Sequence, residues 1–179
     1  SEDIQLLDHL REAGCVAVII GFESVKKESL INLNPHNWKY KKANKYKEAI
    51  SIIQNRGIGV HGSFIIGLDN DNSDIIKDTI EFVLENKLYG SQMNIITPLP
   101  GTRLRKRLME EGRIIDSEWK NYTFNDVTIS HPNITRQQFE DGLLEFWEKA
   151  YSPSFLLEKA IYFKEIFKKI TIEQNHSKA

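Results

Sequence analysis

The chain has 179 residues, 40% of them hydrophobic and 10% aromatic, with 24 Lys and Arg against 25 Asp and Glu and a formal charge of -1. This is enough apolar sequence for an ordinary core, and the charge balance gives no footprint for a nucleic-acid partner. With no apolar run of about 18 residues and no signal peptide, the protein is expected to be cytoplasmic without a membrane span, and its single cysteine, Cys15, excludes an internal disulfide and a cysteine-clustered metal site.

The first predicted element is a helix over Asp3 to Ala13, where Ile4, Leu7 and Leu10 recur at helical spacing beside Leu6 and Gly14 follows as a cap. It feeds an apolar run, Cys15 to Ser24 (CVAVIIGFES), that reads as a buried strand ending in polar residues. An α/β chain seldom opens on a helix, so Ser1 is expected to be a boundary inside a longer protein. Val25 to Leu33 has the character of a short helical turn that Asn34, Pro35 and Asn37 break. Helix is predicted again from Tyr40 to about Asn55, with Tyr46, Ala49, Ile50 and Ile53 on one face and the lysines at 39, 41, 42, 45 and 47 on a solvated one.

Val60 to Asp71 (VHGSFIIGLDND) is the second strand with its acidic loop. A helix over Asp74 to Asn86 follows, with Ser73 or Asp74 at its N-cap and Ile75, Ile76, Thr79, Phe82 and Val83 toward the sheet. Gln92 to Thr102 (QMNIITPLPGT) repeats the design as a third strand and loop, and leads to a helix over Thr102 to Glu111 that Thr102 can cap. From Arg113 the pattern changes. Asp116 to Tyr122 reads as a short helix or turn and Asn125 to Ser130 as an extended piece. Thr135 to Tyr151 reads as a capped helix, and Pro153 to about Ile170 as a last helix with Phe155, Leu156, Ala160, Phe163, Ile166 and Phe167 as its apolar stripe.

Side-chain parity on the strands carries the functional information. Glu23 shares a face with Gly21 and Ile19, Ser63 with His61 and Ile65, and Asn94 with Gln92 and Ile96, while Val18, Ile20, Phe22, Phe64, Ile66, Met93 and Ile95 make the other face apolar. A parallel sheet covered by helices on one side and polar on the other resembles part of a barrel whose lumen holds a ligand, because a filled barrel interior would carry branched aliphatics. The ligand belongs at the carboxyl ends of the strands, beside Glu23, Ser24, Asp69, Asp71, Thr97 and Thr102.

GFES at 21–24, GSFIIGLDND at 62–71 and NIITPLPGT at 94–102 together resemble the fourth, fifth and sixth strands of the radical S-adenosylmethionine (SAM) enzymes, most closely the branch with an N-terminal cobalamin-binding domain. The resemblance spans about residues 3–150, and Trp119 with Tyr122 resembles a segment that follows the barrel in that branch. It implies an α/β fold of three parallel βα units, half of a six-stranded partial TIM-type barrel (1–112); after it the sequence is expected to form a C-terminal helical extension (113–172) and a disordered tail (173–179). It also implies a parent Fe-S oxidoreductase that cleaves SAM at a 4Fe-4S cluster to a 5'-deoxyadenosyl radical, with cobalamin-dependent methyl transfer as one outcome. The family's CxxxCxxC loop cannot come from Cys15 alone, so this chain is expected to be inactive without the missing N-terminal half of its barrel.

Carried over by position, Glu23 and Ser24 match strand-end contacts to the ribose or methionyl part of SAM. Ser63 matches a ribose contact that is often Asp in relatives, and Gly67 the glycine that admits adenine. Asp71 and Thr97 complete the expected cofactor set, although this chain reads GLDND where many relatives read GLPGE. His61, Gln92 and Asn94 are the candidate contacts to a small-molecule substrate; each also suits a hydrogen-bonded structural role. Two other functions stay open, a freestanding nucleotide-binding module and a non-catalytic interaction domain. Neither GxxxxGK[ST] nor GxGxxG occurs, which counts against the module. The unpaired edge of the first strand is expected to self-associate or to be covered, and the C-terminal helices are expected on the outer, apolar side.

Overall fold

The computed structural model describes residues 3–31 and 33–176. Three strands, β1 (Ala17–Glu23), β2 (Gly59–Ile66) and β3 (Gly90–Ile95), form one parallel sheet in the order β1-β2-β3. The helices are α1 (Ile4–Glu12), α2 (Trp38–Lys42), α3 (Tyr46–Gln54), α4 (Asp74–Glu85), α5 (Arg103–Glu110), α6 (Arg136–Ala150) and α7 (Pro153–His176). The predicted succession of three parallel βα units is therefore the observed one. Among the described residues no helix is long and apolar enough to cross a membrane.

Alternation along β2 buries Val60, Phe64 and Ile66 completely and leaves His61, Ser63 and Ile65 half-buried on the opposite face. The buried face meets α3, α4 and α6. Phe22 stacks on Phe64 with ring centres 5.5 Å apart, and Phe82 of α4 meets the two edge-on at 5.8 and 5.9 Å. Gly142 lets α6 lie against the Ile76 side chain, and Phe139 and Phe146 of α6 are fully buried beneath. Thr102 caps α5, and Thr135 with Gln138 forms a reciprocal capping box on α6.

The helix predicted over Tyr40 to Asn55 is broken. A 3-10 turn at Pro35–Asn37, with His36 and Asn37 left-handed (φ 58° and 52°), enters α2, and a second at Ala43–Lys45 separates α2 from α3. The break lets two successive helices address the same strand: Lys39 of α2 reaches Gly21 O, and Tyr46 of α3 donates to Phe22 O. Ser73 stands at the N-cap of α4 without a side-chain bond, because Asn72 O and Ser73 O already accept from the Ile75 and Ile76 N–H groups. Of the expected turn at Val25 to Leu33 only Lys27–Leu30 is helical, as a 3-10 turn, and residue 32 lies outside the described residues.

The C-terminal region departs most from expectation. α7 runs to His176, past Ile170, so of the tail expected from 173 only 177–179 remain, outside the described residues. While α6 packs on the outer face as expected, α7 crosses the end of the sheet where the strands begin. Phe163 meets Tyr89 at 5.4 Å, and Phe167 and Ile170 lie over Gly57. The stripe is accordingly Phe155, Phe163 and Ile166, with Lys159 buried among them, whereas Leu156, Ala160 and Phe167 are exposed. The extended piece at 125–130 contributes only a single antiparallel bridge, Ile129 with Ile114. The outer edge of β3 is instead met by Phe124, whose carbonyl accepts from Ile95 N–H, and by Tyr151 of the α6–α7 turn, which donates to Ser91 O. Among the described residues no strand pairs with the outer edge of β1, near which Ile19 is 76% and Val16 67% exposed.

Candidate functional site

Strand register assembles the half-buried face. Gly21, Ser63 and Gln92 lie side by side across the three strands, and the Gln92 amide donates to Ser63 Oγ at 3.0 Å. One step toward the strand starts, Ile19 stands beside His61 and His61 beside Gly90, over which the imidazole lies. One step toward the carboxyl ends, Ile65 stands beside Asn94. Four of the predicted ligand residues, His61, Ser63, Gln92 and Asn94, are thus on one surface.

Glu23 joins them by an irregular route. A bulge between Gly21 and Glu23 shifts the register, and Glu23 adopts a left-handed φ of 65°, a conformation that costs a non-glycine residue energy and recurs at functional sites. Its carboxylate folds back over Gly21, where a Cβ would come within 2.6 Å of it. There it meets Lys39 Nζ at 2.5 Å, and the same ammonium donates to Gly21 O at 2.7 Å. Sequence reasoning placed Lys39 on a solvated face; nothing in a run of lysines marks the one that the α2 break swings over β1. Tyr46, half-buried beside Glu23, has its phenol pushed up to about 12, by burial first and then by that carboxylate.

Other predicted cofactor residues serve the chain itself. Ser24 is buried and its Oγ accepts from Lys26 N–H, and Thr97 is buried with its hydroxyl on Ile95 O. Gly67 is left-handed (φ 93°), and a side chain there would enter Phe139 and Ile96. Its lack of a side chain is therefore demanded by packing. Asp71 is fully buried. Its Oδ2 accepts from the N–H groups of Gly67 and Leu68, both at 2.9 Å, and its Oδ1 from Ser29 Oγ at 2.5 Å. Burial pushes the carboxyl upward in pKa despite those three hydrogen bonds and the nearby His131. Asp71 is in this way the internal anchor of the loop that follows β2.

His61 is held below its ordinary pKa by burial and then by the charge of Lys159, which approaches from α7. Lys159 itself is lowered by burial; its ammonium donates to Tyr89 O and lies over the rings of Phe155 and Tyr151. Neutral at physiological pH, His61 can exchange a proton or donate one hydrogen bond. Among the described residues no group of three or more His, Cys, Asp and Glu side chains is placed to hold a metal ion. Arg105 of α5 has a structural role. Its guanidinium donates to Pro98 O and Tyr122 Oη and lies over Trp119, so Tyr122 and Trp119, the latter 58% exposed, brace the loop after β3.

No family model matches the chain. It is 27% identical over 161 residues to the bacteriochlorophyllide d C-8(2)-methyltransferase of Chlorobaculum tepidum, covering 90% of this chain and 35% of that protein. It is 25% identical over 160 residues to the anaerobic magnesium-protoporphyrin IX monomethyl ester cyclase of Cereibacter sphaeroides, with 89% and 24% covered. A third similarity, 24% over 163 residues, is to the hopanoid C-2 methylase of Rhodopseudomonas palustris, with 88% and 28% covered. The chain spans between about a quarter and about a third of the length of these relatives. The likeness carried by the three strand motifs is borne out by these similarities: the proteins that the chain resembles are radical SAM enzymes of the cobalamin-binding branch, and it matches them over only part of their length.

Proposed function

We propose that this chain is the SAM-binding half of a radical SAM barrel with its helical extension, 1–112 and 113–172, working in the cytoplasm within a longer enzyme that transfers a methyl group to, or closes a ring on, a small molecule. The observation that carries this reading is the row Gly21–Ser63–Gln92 on the open face, with the Glu23–Lys39 pair at its carboxyl end. Hydroxyl, amide and carboxylate groups there suit a ribose and an amino-acid moiety, and the strained Glu23 is held where a ligand would be met. His61, one step deeper, and Asn94, one step nearer the carboxyl end of β3, suit the substrate.

SAM bound there would supply the group that starts such chemistry. The 4Fe-4S cluster does not fit the residues present: it needs several thiolates, and Cys15 is a single half-buried thiol that donates to Ala17 O. The cluster and any cobalamin therefore belong to the remainder of the parent, and this chain by itself is inactive. The open edge of β1, beside a crevice of about 350 Å³ lined by Ile20, Phe22, Trp38, Tyr46 and Ile53, is where the preceding strand would pair.

The reading frame that encodes the chain tests this. CxxxCxxC should lie on the order of 100 residues before Ser1, the length of three βα units. A frame without such a triplet would overturn the assignment.

A further inference from the structure

The loop that follows β2, Gly67–Asp71, is fastened at every residue, and much of the fastening comes from outside the sheet. On one side Ser29 holds Asp71 Oδ1, and Asn70 donates to Glu28 O. On the other side Arg107 of α5 pairs with Asp69 at 2.7 Å, and the remaining fasteners belong to the extension, 44 to 63 residues away in the chain. Arg113 donates to Asp69 at 3.2 Å, and Asn133 Nδ2 donates to Asp71 O at 3.1 Å. His131 Nε2 lies 3.0 Å from Leu68 O. Because Asn133 N–H donates to His131 Nδ1, the ring proton sits on Nε2, which donates to Leu68 O. Phe139 of α6 supports the imidazole edge-on at 5.9 Å and also fills the space beside Gly67.

We infer that His131 and Asn133 are positioning residues that set the shape of the Gly67–Asp71 loop at the carboxyl end of β2, and through it the affinity of the open face for SAM. The inference rests on the proposed SAM site, to which it adds a control from the extension. Neither residue lies on the open face; both act through backbone carbonyls of the loop. Leu68 O accepts from both His131 and Asp71 N–H, so losing the imidazole loosens the turn that the Asp71 carboxylate closes. The extension is then part of the binding apparatus.

The test compares His131→Leu, Asn133→Ala and the conservative His131→Gln, whose amide can still donate to Leu68 O. In the whole chain, the amides of Gly67 and Leu68 should exchange with solvent roughly five- to tenfold faster in His131→Leu and Asn133→Ala, as expected for losing one hydrogen bond. Amides of β2 should be unchanged, and His131→Gln should restore protection. SAM affinity, titrated in parallel, should weaken by a similar factor in the first two variants and recover in the third. Unchanged Gly67 and Leu68 exchange, or loosened exchange with unaltered SAM affinity, would overturn the inference. A wild-type chain that shows the protection but does not bind SAM would instead sink the SAM site, while the exchange data still decide whether the extension shapes the loop.

Discussion

Lys39 Nζ and Glu23 Oε1 lie 2.5 Å apart over Gly21, a contact between residues 16 apart that closes the carboxyl end of β1. Each side chain is only about one-fifth exposed, so each depends on the other for compensation. Glu23→Ala should weaken SAM binding by the parent enzyme by roughly 1 to 3 kcal/mol if the carboxylate also accepts from the ligand. Lys39→Met should give a comparable loss, and the double variant less than the sum of the two, because the residues act together. Titration of the three variants decides it; full additivity would separate the pair.

Asp71 is predicted to be among the residues least tolerant of change. Asp71→Ala leaves two buried N–H groups and the Ser29 hydroxyl without their acceptor, at a cost of about 3 kcal/mol or more in urea unfolding. Gly67→Ala should also destabilise strongly, since it meets both a φ of 93° and the Phe139 ring. A loss below about 1 kcal/mol in either would contradict the anchoring role.

The three strands and the faces of β2 and β3 were legible in the sequence because a period of two, bounded by glycine and polar residues, leaves no choice about which side chains share a surface. The candidate site was legible in outline for the same reason: His61, Ser63, Gln92 and Asn94 follow from parity alone. Glu23 lay outside that logic, since a bulge carries its side chain around. Lys39 and the loop fasteners were hidden because they rest on contacts that no local pattern encodes; Lys39 depends on a helix break and His131 on a partner 63 residues away. The stripe of α7 misled for a different reason. Helical spacing identifies apolar positions but not the neighbour they meet, and a helix crossing the end of a sheet buries fewer of them, with room for Lys159.

Lys159 sets an expected pH dependence. Burial lowers its pKa in the folded chain, so the unfolded chain holds the proton more tightly, and stability rises with pH toward the ordinary lysine value of 10.5. Lys159→Met removes this contribution. The stability of the wild type relative to the variant should therefore increase as pH is raised from neutral toward that value. Urea midpoints across the range check it, and a difference that is flat or falls with pH would contradict a destabilised ammonium.

The outer position of β1 in the sheet predicts concentration-dependent self-association of the isolated chain, since Ile19 and Val16 are exposed there. Ile19→Lys should abolish it. Sedimentation of both proteins is the check, and a wild type that stays monomeric at about 100 μM would show that the edge is covered in solution.

The central claim, that the open face of the sheet receives SAM, is tested most directly by titrating SAM into the isotope-labelled chain and following the side-chain amides of Gln92 and Asn94 with the backbone amides of residues 21–23 and 63 by NMR. These resonances should move together and saturate with one affinity, the Gln92 amide most of all because its bond to Ser63 Oγ would be exchanged or stretched. No shift at millimolar SAM, or shifts confined to the far side of β1 around Trp38 and Tyr46, would contradict it.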